Sequence, residues 1–252
     1  MRRLFVLCLV LFPATLSAQE GRIAFSRAVQ YDFEVPEAWA AMKDQIPSQR
    51  VSEMVLLFNA SESVMMPATE PEQEAPARMT RGEGAAIRLK MGSSSRSDQE
   101  TLLQSYVSFE DGAMVEAREF MDRTFLIPGT RPTYSWSLGS EQREFLGYVV
   151  QKATAELDGS TIEAWFTMEI PVQAGPGPFG GLPGVILLVS VDDGHTVYAA
   201  TEVDLNGLGG EMIIAPDEGD EVSREEYEQI VDEKLEEIEM LRGTGNDRRR
   251  RP

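Results

Sequence analysis

The chain has 252 residues, with 42 Asp and Glu against 23 Lys and Arg, and a net charge of −19 at pH 7. That balance disfavours nucleic acid, whose phosphates are gripped by Lys and Arg. Its only cysteine is Cys8, so the chain forms no internal disulfide and its remainder offers no thiol nucleophile or thiolate metal site.

Residues 1–18 read as a secretory signal peptide. Arg2 and Arg3 form a charged start, Leu4 to Phe12 an apolar run, and Pro13 to Ala18 a polar, small-residue end, with cleavage expected after Ala18. The apolar run is far shorter than the roughly 20 residues of a spanning helix. Cys8 lies inside that run, where a lipid anchor would need its cysteine after it. Removing the segment takes away two arginines, leaving 21 basic against 42 acidic residues, a net charge of −21. Such a charge suits solubility, a salty habitat or a cationic partner. The expected location is outside the cytoplasm, in the periplasm or on the outer membrane.

Ile23 to Val35 begins as a strand, with Ile23, Phe25, Tyr31, Phe33 and Val35 on an inward face. Pro36 to Gln45 suits a short helix, and Arg50 to Asn59 a second strand. Val64 to Gly84, rich in Pro, Gly and acids, reads as a long flexible loop, and Gly92 to Asp98 as a serine-rich turn. Short strands then follow one another: Leu103–Phe109, a turn at Asp111-Gly112, Ala113–Met121, and Arg123–Ile127 closed by Pro128-Gly129. Next come Thr133–Leu138 and Arg143–Leu157, the latter closed by Asp158-Gly159, and then Thr161–Ile170. Val185–Val191, the turn Asp192-Asp193-Gly194 and Thr196–Leu205 form one more hairpin. Strands at this spacing argue for an antiparallel meander.

Gly175 to Gly184 is the most distinctive stretch. Eight of its ten residues are Gly or Pro, a density that no regular helix or interior strand tolerates. It is a shaped loop with Phe179 and Leu182 as its only large anchors. It lacks the Lys-Ser/Thr ending of a phosphate loop and leads into a strand.

At the C-terminus, Ser223 and Glu226 have capping-box spacing. Tyr227, Ile230, Val231, Leu235, Ile238 and Leu241 share one helical face, with Gly243 as the expected stop. The stripe needs a partner, either the chain's own sheet or a second copy; the expectation is a monomer. Residues 243–252, with Arg248 to Arg251, read as a disordered basic tail.

The fold expected is mainly β, a curved antiparallel sheet or half-open barrel with a C-terminal amphipathic helix. Residues 19–242 would form one β-rich domain.

Trp136 to Val189 resembles the GLPGLI family. Gly181-Leu182-Pro183-Gly184-Val185-Ile186 stands for the naming motif, with Val185 the one departure. Gly147-Tyr148 with Gln151-Lys152-Ala153, Trp165-Phe166-Thr167 with Ile170-Pro171, and Gly175-Pro176 with Phe179-Gly180-Gly181 stand for its other elements. Val150 occupies a position where family members often carry cysteine, which removes any redox or metal role there. The resemblance implies an exported envelope protein of Bacteroidetes-type bacteria with no assigned activity, and it supplies no catalytic residues.

Other chemistry is sparse. His195 beside Asp192 and Asp193 is read as a polar turn rather than a metal or acid–base site. The methionines fall in strand and helix patterns that suit core filling over copper binding. No catalytic residue, metal ligand or cofactor is assigned. Trp136, Tyr148, Trp165, Phe166, Phe179 and Leu182 fit two roles: they line a ligand groove with the Gly/Pro loop as its rim, or they are the core that pins the loop. The function expected is non-enzymatic binding of a hydrophobic ligand, a peptide or an envelope protein. A carboxylate-dependent hydrolase is the alternative.

Overall fold

A computed structural model describes residues 20–30, 49–68 and 100–247. The expected signal peptide at 1–18, the helix expected at 36–45, the turn expected at 92–98, the 248–251 arginines and most of the loop expected at 64–84 lie outside those residues.

The described strands form one open twelve-stranded sheet. They are β1 (Gly21–Gln30), β2 (Gln49–Phe58), β3 (Glu62–Pro67), β4 (Glu100–Ser108), β5 (Ala113–Phe120), β6 (Arg123–Thr130), β7 (Ser137–Phe145), β8 (Tyr148–Leu157), β9 (Ser160–Thr167), β10 (Val185–Val191), β11 (Thr196–Asp204) and β12 (Asp220–Glu221). The order is β12-β6-β5-β4-β3-β2-β1-β11-β10-β9-β8-β7. All pairings are antiparallel except β12 with β6. The meander is confirmed, and β1 joins its two halves by pairing with both β2 and β11.

The sheet has to curl. β6 and β7 stand ten strand steps apart in the order, about 48 Å on a flat sheet at ~4.8 Å per step. The connector from Thr130 to Ser137 spans at most about 25 Å fully extended. A chord shorter than the path it joins lies on the concave side. Trp136 confirms the placement, donating from Nε1 to the Gly180 carbonyl at 2.9 Å, inside the Gly/Pro loop.

Register assigns side chains to faces. One row of paired residues crosses the sheet as Ile23, Leu56, Met65, Ser105, Glu116 and Ile127, all buried. This is the concave face, since Met65 Sδ accepts the Gly177 N–H at 2.9 Å. On the opposite face Val55, Leu57 and Val64 pack under Leu208 and Ile213, from the chain that follows β11.

That chain reaches the β6 edge as β12 and enters α1 (Arg224–Asp247). The capping box forms as expected: the Glu226 N–H donates to Ser223 Oγ at 3.1 Å, and the Ser223 N–H to Glu226 Oε2 at 2.9 Å. Tyr227 and Val231 are buried against Phe120, Phe125 and Ile127, with Ile230 and Leu235 half-buried beside them. The apolar stripe therefore packs on the chain's own sheet from Tyr227 to Leu235. Val231→Ala removes two buried methyl groups, about 1.5 kcal/mol of burial. Thermal unfolding should show a loss about twice that of the half-buried Leu235→Ala.

Several boundaries differ from expectation. Val64 to Pro67 lie in β3, because Asn59 Oδ1 accepts the Ser61 and Glu62 N–H groups (2.8 and 3.0 Å) and turns the chain early. Pro128 and Gly129 lie inside β6 opposite Val115 and Met114. The proline's outer side has no β12 partner, so its missing N–H breaks no ladder bond. The span Arg143–Leu157 is two strands, folded back at Leu146-Gly147, where φ is +52° and +82°. Residues 131–136 form no ladder, and α1 runs past Gly243 to Asp247.

Candidate functional site

The Gly/Pro loop fills the concave face. The Ile186 N–H donates to the Ala174 carbonyl and the Val185 N–H to the Ile170 carbonyl, both at 3.0 Å, so the loop folds back onto the start of β10. Gly175, Pro176, Gly177, Gly180 and Gly184 are all buried. Three glycines of the loop are required by close approach. A Cβ on Gly175 would sit 2.5 Å from the Phe179 carbonyl oxygen, one on Gly180 2.8 Å from the Gln173 carbonyl oxygen, and one on Gly184 would overlap the Thr167 carbonyl. Gly184 is thus fixed by contact with β9.

An aromatic line closes the loop over. Tyr134 lies 5.1 Å from Trp136 and stacks on Phe179 at 5.8 Å; Phe179 meets Tyr198 edge-on at 5.9 Å. Arg27 Nε donates to the Tyr198 hydroxyl at 3.1 Å. Arg131 Nη1 donates to the Gln173 carbonyl at 3.2 Å, and the guanidinium lies over Phe109. Burial raises the pKa of the Tyr134 phenol, with Arg131 partly opposing it, and burial lowers that of Arg131.

Of the six residues singled out from the sequence, Trp136 and Phe179 belong to this line, both half-buried. Phe166 and Leu182 are fully buried in the main core. Tyr148 is half-buried opposite Phe145, beside the 146–147 turn. Trp165 is also buried in the main core cluster, but by register it projects from the opposite face of β9, under the Arg143 guanidinium at 3.8 Å. Its Nε1 donates to Glu163, which also pairs with Lys152 at 2.7 Å. Burial alone would raise the Glu163 pKa, but Lys152 and Trp165 together hold it low.

Tyr134 and Tyr198 were missed. The signal for Tyr134 was present, two residues before Trp136 in an extended stretch. Tyr198 faces the loop only because of pairings that span the whole chain.

The line continues outward to an apolar rim. Leu138, two residues past Trp136, is 55 % exposed; Val149 is 55 % and Met168 58 % exposed. Leu138 pairs with Ala153, and Val149 lies four residues away on the same strand, so both project from one face. By register through Ala164, Val189 and Tyr198 it is the concave face. A separate open groove of about 460 Å³ lies on the other face, between Gln104, Ala117, Thr124 and the turn Pro216–Gly219.

Asp192 anchors its turn, accepting the Ser160 hydroxyl and the Thr161 N–H, each at 3.0 Å. Among the described residues no three His, Asp or Glu side chains converge as a metal site, and no helix is long and apolar enough to cross a membrane.

A family model described as "Protein of unknown function (Porph_ging)" matches residues 156–188. The match runs from the end of β8 into β10 and takes in the whole Gly/Pro loop. No curated protein matches the chain significantly. Two solved structures described as PNGF-II, in P21 and C2 crystal forms, share the fold with TM-scores of 0.51 and 0.52 at 15% identity. Each alignment covers 85% of this chain, which spans only 33% of the PNGF-II chain.

Proposed function

We propose that the chain is an exported, GLPGLI-type cell-envelope module that binds an extended apolar segment of a partner protein and catalyses no reaction. The observation that carries this reading is the stepped apolar strip Tyr134, Trp136 and Leu138. Its inner residues are half-buried against the Gly/Pro loop, and its outer one is open to water on the same face as the exposed Val149. A filled concave face favours an extended occupant laid along the rim over a ligand swallowed whole. Exposed apolar patches with polar surroundings mark such surfaces.

A fluorescently labelled neutral peptide of alternating Val and Gln tests the reading by anisotropy. Saturable binding is expected, with at least about a tenfold loss in Leu138→Glu/Val149→Glu. Both positions are exposed, so the melting temperature should hold. Equal affinity of the variant and the parent protein would refute the site. Saturable binding of N-phenyl-1-naphthylamine with none of the peptide would replace the peptide by a small hydrophobic ligand.

A further inference from the structure

We infer that the segment accepted by this rim is basic, with Lys or Arg interleaved among its apolar residues. The inference rests on the rim-binding reading above and concerns the charge of the occupant.

Register places Glu144 directly opposite Val149 and Gln142 opposite Gln151, on the same concave face as Leu138. Along that face the order is therefore apolar (Leu138), amide (Gln142 and Gln151), then apolar with acid (Val149 and Glu144). A second carboxylate adjoins the far end: Glu169 Oε1 accepts the Val149 N–H at 2.8 Å and follows the exposed Met168. Both acids are exposed.

The cations of β7 and β8 do not neutralise them. Arg143 and Lys152 project from the opposite face, where Arg143 covers Trp165 and Lys152 pairs with Glu163. On this hairpin Arg143 and Lys152 thus lie on one face, with Glu156 and with Glu141 near Lys152, and Glu144 is left open on the other. Ala153 to Val149 spans four residues of strand, about 13 Å. An extended peptide alongside would match Leu138 and Val149 with apolar residues four apart and set a basic residue near Glu144 and Glu169. The chain's net charge of −19 adds long-range attraction for such a segment.

The irregular register between Leu138 and Gln142 bends the edge strand β7 and hinders a continuous backbone ladder with an added strand. Selection then falls to side chains, and charge becomes decisive.

Three labelled peptides with the same apolar spacing test this, carrying Lys, Gln or Glu at the polar positions, measured against the full chain at low and high salt. The Lys peptide should bind at least about tenfold tighter than the Glu peptide, and the advantage should collapse near 0.5 M salt, where the Debye length is only a few ångströms. Glu144→Lys should abolish the preference while leaving the Gln peptide unaffected. Glu169→Gln, which keeps the acceptor for the Val149 amide, should reduce the preference without unfolding the turn. Equal binding of Lys and Glu peptides, or a preference untouched by Glu144→Lys, would overturn the charge inference and leave rim binding standing. Binding of none of the three would overturn rim binding and this inference with it.

Discussion

Gly184→Val is expected to prevent stable folding, and Gly184→Ala to cost more than about 3 kcal/mol. The new Cβ would overlap the Thr167 carbonyl and lie 3.0 Å from the Met168 Cα, all main-chain atoms that no rotamer change can move aside. The site is buried, and β9 is held from both sides by β8 and β10. Gly181→Ala provides the contrast. Gly181 has φ +82°, but its Cβ would meet nothing nearer than Arg131 Nη2 at 3.8 Å. There only the left-handed backbone is penalised, at about 1 kcal/mol. Urea unfolding of both variants separates steric overlap from conformational strain; equal losses would mean that the β9 contact is not what fixes Gly184.

Glu116→Gln should lower stability by about 3 kcal/mol at neutral pH. The Glu116 side chain is 4% exposed and holds Arg118 at 3.0 Å and Arg224, the first residue of α1, at 2.6 Å. Burial alone would raise its pKa, but the two guanidiniums outweigh that and hold it below the ordinary value of 4.5. A carboxylate with a depressed folded pKa stabilises above its unfolded value, and the contribution is lost as pH falls through the folded one. The gap between parent and variant should therefore be full at pH 7 and shrink below about pH 4.5. A gap independent of pH would show that Glu116 acts by packing alone. Amide exchange in α1 should quicken in the variant, since Arg224 loses its buried anchor.

Alternation and turn chemistry made the meander legible. Asp111-Gly112 and Asp158-Gly159 are turns with glycine at positive φ, as their residues announce. The Leu146-Gly147 turn was hidden because leucine there adopts φ +52°, against local preference; the break at Met121-Asp122 was placed correctly although Met121 has φ +49°. Strand pairing on both flanks imposes the reversal. β3 was masked by the proline-rich, acidic residues that follow it. The Ser223–Glu226 cap was readable from four residues, being a local device. Trp165 could not be told from the other aromatics, because the face it occupies depends on register through three further strands. The Glu116 cluster was invisible for a similar reason: a glutamate among 42 acids gains its arginine from a helix 108 residues later.

The pairing of β1 with β11 has a consequence for synthesis. Arg27 and Tyr198 meet across 171 residues, so the first described strand gains its second neighbour only when almost the last one arrives. Until then β1 offers a bare, largely apolar edge at what becomes the middle of the sheet. Long-range closure of this kind folds slowly and makes any product halted before Thr196 prone to self-association through β1.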